Sequence, residues 1–352
     1  MRSSPPTGLI IFILLVFISI RAVGQKGYFR IKPITNTKYT GKLQFPILLK
    51  DTSKGVAIEK INQFLQLAEL ELLNGHQHDN IFEKVAVGKV GLYGNKSDLS
   101  YSIYSNNNKT LSIGLQETAS GMTMHYWSSY YTFNSGNGDL IQLSDLFTKT
   151  GYQQFRKQVV KKATRQLKEQ VEEMGDQATF TWLTDALASL KEINNFDFYL
   201  QRDTIVVNAE AILPKEGRAQ FDMHLKFHLS EFKQWLDDQG KCLFNINKAD
   251  IASYRCRSLP QLFAGNIGKH RILLIIRPSY GDEYQGIYCY EKFGKGIYME
   301  GKITKGHITM EEKTEDFDTQ ATISGVFRQD SIIATWKKNG NSVRLPLFAH
   351  RK

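Results

Sequence analysis

Cysteine is scarce in this chain, and the few thiols are badly placed to define a fold. There are three, Cys242, Cys256 and Cys289, all in the later part of the 352 residues. An odd number leaves one thiol free or paired between chains. In an oxidising compartment the expected disulfide is Cys242–Cys256, which closes a short loop; three separate buried thiols are the alternative. Long apolar runs are equally rare. Past the first two dozen residues no segment is long and apolar enough to suggest a bilayer-spanning helix. The motifs of common chemistries are missing too: no H-E-x-x-H, no G-x-S-x-G elbow, no Walker loop and no C-x-x-C. No cofactor or metal is therefore expected. The absence of a compact Arg/Lys motif argues against nucleic acid.

What is present begins with the compartment. "MRSSPPTGLIIFILLVFISIRAVGQKG" has a basic Arg2, an apolar run from Leu9 to Ile18 and a small-residue exit. This is a signal-peptide layout, with an uncleaved anchor as the alternative. No cysteine near the exit suggests lipid attachment. Cleavage after residue 25 would remove Arg2 and Arg21, taking the formal charge from +10 to about +8. A basic exported protein is drawn to anionic surfaces. The expected location is periplasmic or secreted, with no integral membrane segment after cleavage.

The remainder reads as two domains. Residues 26–240 alternate strand and helix patterns. "GVAIEKINQFLQLAELELLNG" repeats Ile58, Ile61, Phe64 or Leu65, Ala68 and Leu72 at helical spacing. "KVGLYG", "DLSYSIYSNN", "KTLSIGLQETA" and "MTMHYWSSYYTFN" read as strands. From Tyr152 a long helix places Phe155, Val159, Ala163, Leu167, Val171 and Met174 on one face. Lys157, Lys161, Lys162, Arg165 and Lys168 cover much of the rest. Its charges oppose the helix dipole, so packing must hold it. A second helix is expected over about 177–192, then the strands "FDFYLQRDTIVVNAEAIL" and "AQFDMHLKFHL". Residues 241–270 lack a sustained period and read as a linker or packing segment. From 271 to 352 short strands recur every eight to twelve residues, the pattern of a small antiparallel barrel or sandwich. The fold class is thus α+β: an antiparallel sheet with helices, followed by a small all-β domain.

One motif invites a metal reading: His224-x-x-x-His228 with Asp222. Phe221, Met223, Leu225, Phe227 and Leu229 alternate with polar residues, so the stretch is a half-buried strand. Residues four apart on a strand lie about 13 Å from each other, too far to share one zinc.

The order of elements in residues 30–237 resembles the DUF3298/DUF4163 family, an extracytoplasmic module found in certain anti-sigma factors and peptidoglycan deacetylases. The resemblance rests on "YTGKLQFPIL" before "IEKINQFL", on "YYTFNSGNGDLIQLSDLF" with Leu143, Leu146 and Phe147, and on "FDFYLQRDTIVVNAEAILP" before "FDMHLKFHL". In "SGMTMHYWSSYY", His125 stands where family members carry a Gly-rich, His-containing segment. No deacetylase domain follows, so that activity does not carry over; nor does the anti-sigma role. What the resemblance implies is binding of a cell-wall glycan or of an extracytoplasmic protein such as a lysozyme. The candidate ligand contacts are His125 and Tyr130 in the first domain, with Tyr284, Tyr288 and Trp336 in the second. The competing expectation is a hydrolase of wall polymers using Glu300, His307 and Glu311. A third is a structural or assembly role in the envelope.

Overall fold

The computed structural model describes residues 27–76, 80–88, 95–120, 124–174, 182–193, 195–214, 217–279, 282–314 and 318–352. The expected signal peptide and the strand expected from "KVGLYG" lie outside them. So does the first turn expected of the second helix, with Phe180.

The first sheet is built from β1 (Ile31–Thr35), β2 (Lys42–Leu48), β3 (Lys96–Asn106), β4 (Thr110–Ser120), β5 (Met124–Asn134) and β6 (Leu140–Ile141), in that spatial order. All neighbours are antiparallel except β2 and β3. That exception follows from the connection, because helix α1 (Gly55–Leu70) crosses between them. Alternation along β4 sends Leu111, Ile113 and Leu115 to the α1 side, where they join its core. Ser112 points the other way, accepting from the backbone N–H of Leu200 at 3.1 Å.

On that other face lies a second sheet of β7 (Asp197–Gln201), β8 (Thr204–Asn208) and β9 (His224–His228). All five residues of β8 are buried, since both its faces are covered. Val206 meets Tyr130 and Tyr199 of the inter-sheet layer. Ile205 and Val207 meet Phe155, Val159 and Leu167 of helix α2 (Lys149–Glu173). Thr148 caps α2, its side chain accepting from the Gly151 N–H. Helix α3 (Leu183–Glu192) packs beside it, burying Ala186 and Leu190. Met174, expected on the buried face of α2, is exposed. The strand expected over 219–229 is shorter than its alternation suggests. Gln170 of α2 satisfies both backbone groups of Asp222, accepting from its N–H at 2.8 Å and donating to its carbonyl at 2.9 Å. A side-chain amide there takes the place of a strand neighbour.

Short helices α4 (Leu229–Phe232) and α5 (Asp238–Leu243) lead to the barrel. Its strands are β10 (Gln261–Ile267), β11 (His270–Pro278), β12 (Glu283–Tyr290), β13 (Gly296–Thr304), β14 (His307–Lys313), β15 (Thr319–Arg328), β16 (Ser331–Lys338) and β17 (Arg344–Arg351). Each pairs with the next, and β10 pairs with β17, closing the barrel. The segment expected as a linker thus supplies the first barrel strand. Gly265 in that strand is what hides it. A Cβ there would stand 1.9 Å from the carbonyl oxygen of Phe348 on β17, so closure needs a glycine.

The two domains share one core. Ile272 through Ile276 of "RILLIIRP" are all buried. Ile272, Leu274 and Ile276 fill the barrel, while Leu273 and Ile275 turn outward onto α1 with Leu262, Ile287 and Cys289. Helix α1 therefore lies between the first sheet and the barrel wall, and every residue from Phe64 to Leu70 is buried, the polar Gln66 and Glu69 included. Beyond its end, the Leu73 N–H donates to the Gly294 carbonyl at 2.8 Å, and the Gly296 N–H to that of Glu71 at 2.7 Å. These bonds fasten it to the β12–β13 turn.

A buried polar hub completes the seam. Asp139, fully buried before β6, forms an ion pair with Lys60 of α1. It also accepts from Arg351 of β17 at 2.9 Å and from the backbone N–H of Cys256 at 3.2 Å. Three distant parts of the chain meet on one carboxylate.

Candidate functional site

The residues expected to act in the barrel are not assembled into a site. Tyr288 is 1% exposed. Its hydroxyl donates to Glu312 at 2.7 Å, and Trp336 Nε1 donates to the same oxygen at 2.9 Å. Tyr284 and Trp336 pack on the barrel core. Small barrels fill their interiors with side chains, and Tyr288 does so here, while Tyr284 and Trp336 are half-buried against the same core. Glu300 and Glu311 are direct cross-strand neighbours on the outer wall. Lys313 lies 3.3 Å from the first and 2.7 Å from the second. Hydrogen bonds from Lys313 and Thr319 hold the Glu311 carboxyl below its ordinary range, the reverse of what a general acid needs. His307 sits four residues before Glu311 on the same strand, about 13 Å away, with its Nε2 3.4 Å from the Ser324 hydroxyl. No acid–base pair faces a cleft here.

The expected disulfide is also corrected. Cys242 and Cys256 are separate, buried free thiols. Cys242 Sγ donates to the Ala249 carbonyl at 3.0 Å, whereas Cys256 Sγ accepts from Gln239 at 3.4 Å.

The chemistry gathers instead beside β5. Strand β6 pairs only with Thr132 and Phe133, so among the described strands β5 has a free edge before that point. Against this edge lie the start of β7 and the turn after β8, enclosing a cavity of about 240 Å³. Trp127 and Ser128 line it from β5, Asn195 and Asp197 from the β7 side, Asn208 from the end of β8, and Glu210 and Arg218 from beyond it. The volume is below that of drug-sized pockets, ~300–1,000 Å³, and suits one sugar-sized ring. A cleft of about 910 Å³ runs along residues 47–59, but Tyr28 is the one Phe, Tyr or Trp lining it. Lys54 already covers that ring at 3.9 Å.

Behind the cavity stands an aromatic stack. Tyr104 and Tyr199 lie 3.7 Å apart between ring centres, and Tyr130 and Tyr199 5.0 Å. Burial pushes the Tyr130 phenol well above its ordinary range and that of Tyr199 up to about 12. The Tyr130 hydroxyl is 2.6 Å from His224 Nε2, and His224 Nδ1 is 2.9 Å from Asp222 and 3.8 Å from Glu210. With the phenol protonated, Nε2 accepts and Nδ1–H faces the carboxylates. A phenol held protonated is no activated nucleophile; this chain of bonds fixes the Glu210 side of the cavity. Among the described residues no group of three or more His, Cys, Asp or Glu side chains could hold a metal. His125, the other expected contact, is half-buried on β5 opposite Ala119, outside the cavity lining.

Beneath Trp127 lies a buried charge cluster. Lys96 Nζ is 5.5 Å from the Trp127 ring centre. It pairs with Glu117 and, at 3.7 Å, with Glu69, which also accepts from the Tyr131 hydroxyl. Glu117 Oε1 has no hydrogen-bond partner among the described residues. Burial, followed by the nearby Glu69 charge, pushes the Glu117 carboxyl up to about 8. Reading the sequence for metal and nucleophile motifs missed both Trp127 and this cluster. The signal for the cluster was there, because Glu117 continues the inward phase of Leu111, Ile113 and Leu115.

No family model matches the chain, and neither does any curated protein. Among solved structures it is similar to a DUF3298 family member from Bacteroides fragilis, at 13% identity and a TM-score of 0.44. That match covers 62% of this chain and 96% of the other. Nothing comparable supports DUF4163. The likeness transfers no activity, ligand or partner.

Proposed function

We propose that the protein is an exported, non-catalytic binder of a cell-wall glycan, with the cavity at the β5 edge as its sugar subsite. The observation that carries this reading is the composition of that cavity. One indole accompanies side-chain amides, carboxylates and a guanidinium, all converging from separate elements on a small space. A sugar ring offers an apolar face of C–H groups and a rim of hydroxyls. An indole takes the first, and Asn, Asp, Glu and Arg side chains take the second. Export rests on the N-terminal sequence. Glu300 and Glu311 share Lys313 on the outer wall with His307 about 13 Å from Glu311, an arrangement that gives the hydrolase alternative no support.

Co-sedimentation with purified peptidoglycan tests the reading. Wild-type protein should be retained in a saturable way that persists at high salt, and Trp127→Ala should reduce its affinity about tenfold or more, the weight of a buried aromatic contact. Retention that disappears with salt in wild type, or that Trp127→Ala leaves intact, would contradict the assignment.

A further inference from the structure

A second concave surface lies next to the cavity, and it is strongly basic. Gln153, Arg156, Lys157, Val160 and Lys161 of α2, together with Lys191 of α3, line a groove of about 580 Å³ with no carboxylate among them. Lys157, Lys161 and Lys191 are exposed and form no ion pair among the described residues. Arg156 spends its donors on backbone, reaching the carbonyls of Ile193, at 2.8 Å, and Lys191. Its charge therefore stays uncompensated while it fixes the groove floor. Arg156, Lys157 and Lys161 occupy the first half of α2, and its first turn contains no acidic residue. Positive charge at that end works against the helix dipole, so the arrangement is costly for the helix alone.

One hydrogen bond links the groove to the cavity, from Arg156 in the groove to the carbonyl of Ile193 at the cavity. Lys191 lines the groove, while Ile193 and Asn195 line the cavity. Four residues span at most about 14 Å, within reach of a short run of linked sugars. We propose that the α2–α3 groove is the acid-binding part of the same site, so that the ligand is an acidic polysaccharide. One ring would occupy the Trp127 cavity, and carboxylates on neighbouring rings would face Lys157, Lys161 and Lys191. This inference rests on the cavity being a sugar subsite. A charged groove alone would suit any polyanion; its nearness to an aromatic, amide-lined cavity, through Arg156 and Ile193, selects a glycan over a nucleic acid or an acidic peptide.

The test is calorimetric titration of the full mature chain with a short polygalacturonate oligomer and with its methyl ester, which keeps the sugar backbone and removes the charge. Exposed ion pairs are individually weak, and three together amount to about tenfold in affinity. The acidic oligomer should bind about tenfold tighter than the ester at low salt, with the difference shrinking as salt is added. In the triple variant Lys157→Glu, Lys161→Glu, Lys191→Glu that advantage should vanish. The neutral triple Lys→Gln variant should show the same loss and guards against misfolding. Equal affinity for the two oligomers in wild type would overturn the groove assignment and leave the cavity reading standing. Binding of neither would overturn both. Acid-selective binding that Trp127→Ala leaves unchanged would overturn the shared site, because the groove would then act without the cavity.

Discussion

Replacing Asp139 by alanine is expected to cost about 3–5 kcal/mol of stability, the range for breaking a buried ion pair. Asp139 is fully buried, Lys60 is 2% exposed, and the Arg351 side chain is 6% exposed. Removing the carboxylate leaves two cations facing each other away from water, together with the Cys256 N–H it also satisfied. Whole domains are stable by only about 5–15 kcal/mol, so the variant should sit near the edge of folding. Urea denaturation measures the loss directly. Combining Asp139→Leu with Lys60→Met should recover part of it, since an apolar replacement leaves fewer charges stranded. A loss below about 1 kcal/mol for Asp139→Ala would mean that the three segments do not depend on this hub. Because those segments are α1, the stretch at Cys256 and the last barrel strand, the unfolding should also be a single transition rather than one for each domain.

The second large effect is on the pH dependence of stability. Glu117 and Glu69 share Lys96, with Tyr131 donating to Glu69. Arg277 on the barrel also feels Glu69 and Glu71. Within the immediate contact of Lys96 there are two carboxylates for one ammonium, and burial resists a net charge. The folded protein therefore keeps a proton on Glu117 up to about pH 8, whereas the unfolded chain releases it near 4.5. The folded state binds more protons through that window, so stability is full below about pH 4.5 and falls as pH rises towards 8. The slope from one such group is at most about 1.4 kcal/mol per pH unit. Thermal melts from pH 5 to 8 should show a falling Tm in wild type and a flatter profile in Glu117→Gln. Lys96→Met strands both carboxylates and should be the most destabilised variant at pH 8, recovering markedly at pH 5. A Tm that rises across this range in wild type, with Glu117→Gln unchanged in slope, would refute the shared proton.

The sequence reveals this fold mainly where one physical pattern dominates. The period of two in "KTLSIGLQETA" and the helical spacing from Phe155 to Leu167 each name an element, because one face is buried and the other is wet. Legibility fails where burial is two-sided. "RILLIIRP" reads as a strand, but that its odd and even residues serve two different cores depends on α1, some two hundred residues away. The barrel aromatics fail for the same reason: Tyr288 and Trp336 have the composition of a ligand groove, and their shared bond to Glu312 becomes visible only when the barrel closes. The proposed site is harder still. Trp127, Asn195, Asn208, Glu210 and Arg218 follow no common spacing and meet because β5 outruns β6. The contact that His224 and Asp222 do make, bracing Tyr130, comes from a strand that is ninety-four residues away in sequence.

The most direct test of the central claim is hydrogen exchange with and without soluble wall-glycan fragments. Binding at the β5 edge should slow exchange at 127–130, 195–197 and 208–211 and leave the barrel's outer wall at 300–311 unchanged. Protection on the barrel wall instead, or no protection at a concentration where co-sedimentation shows saturation, would contradict the placement of the site.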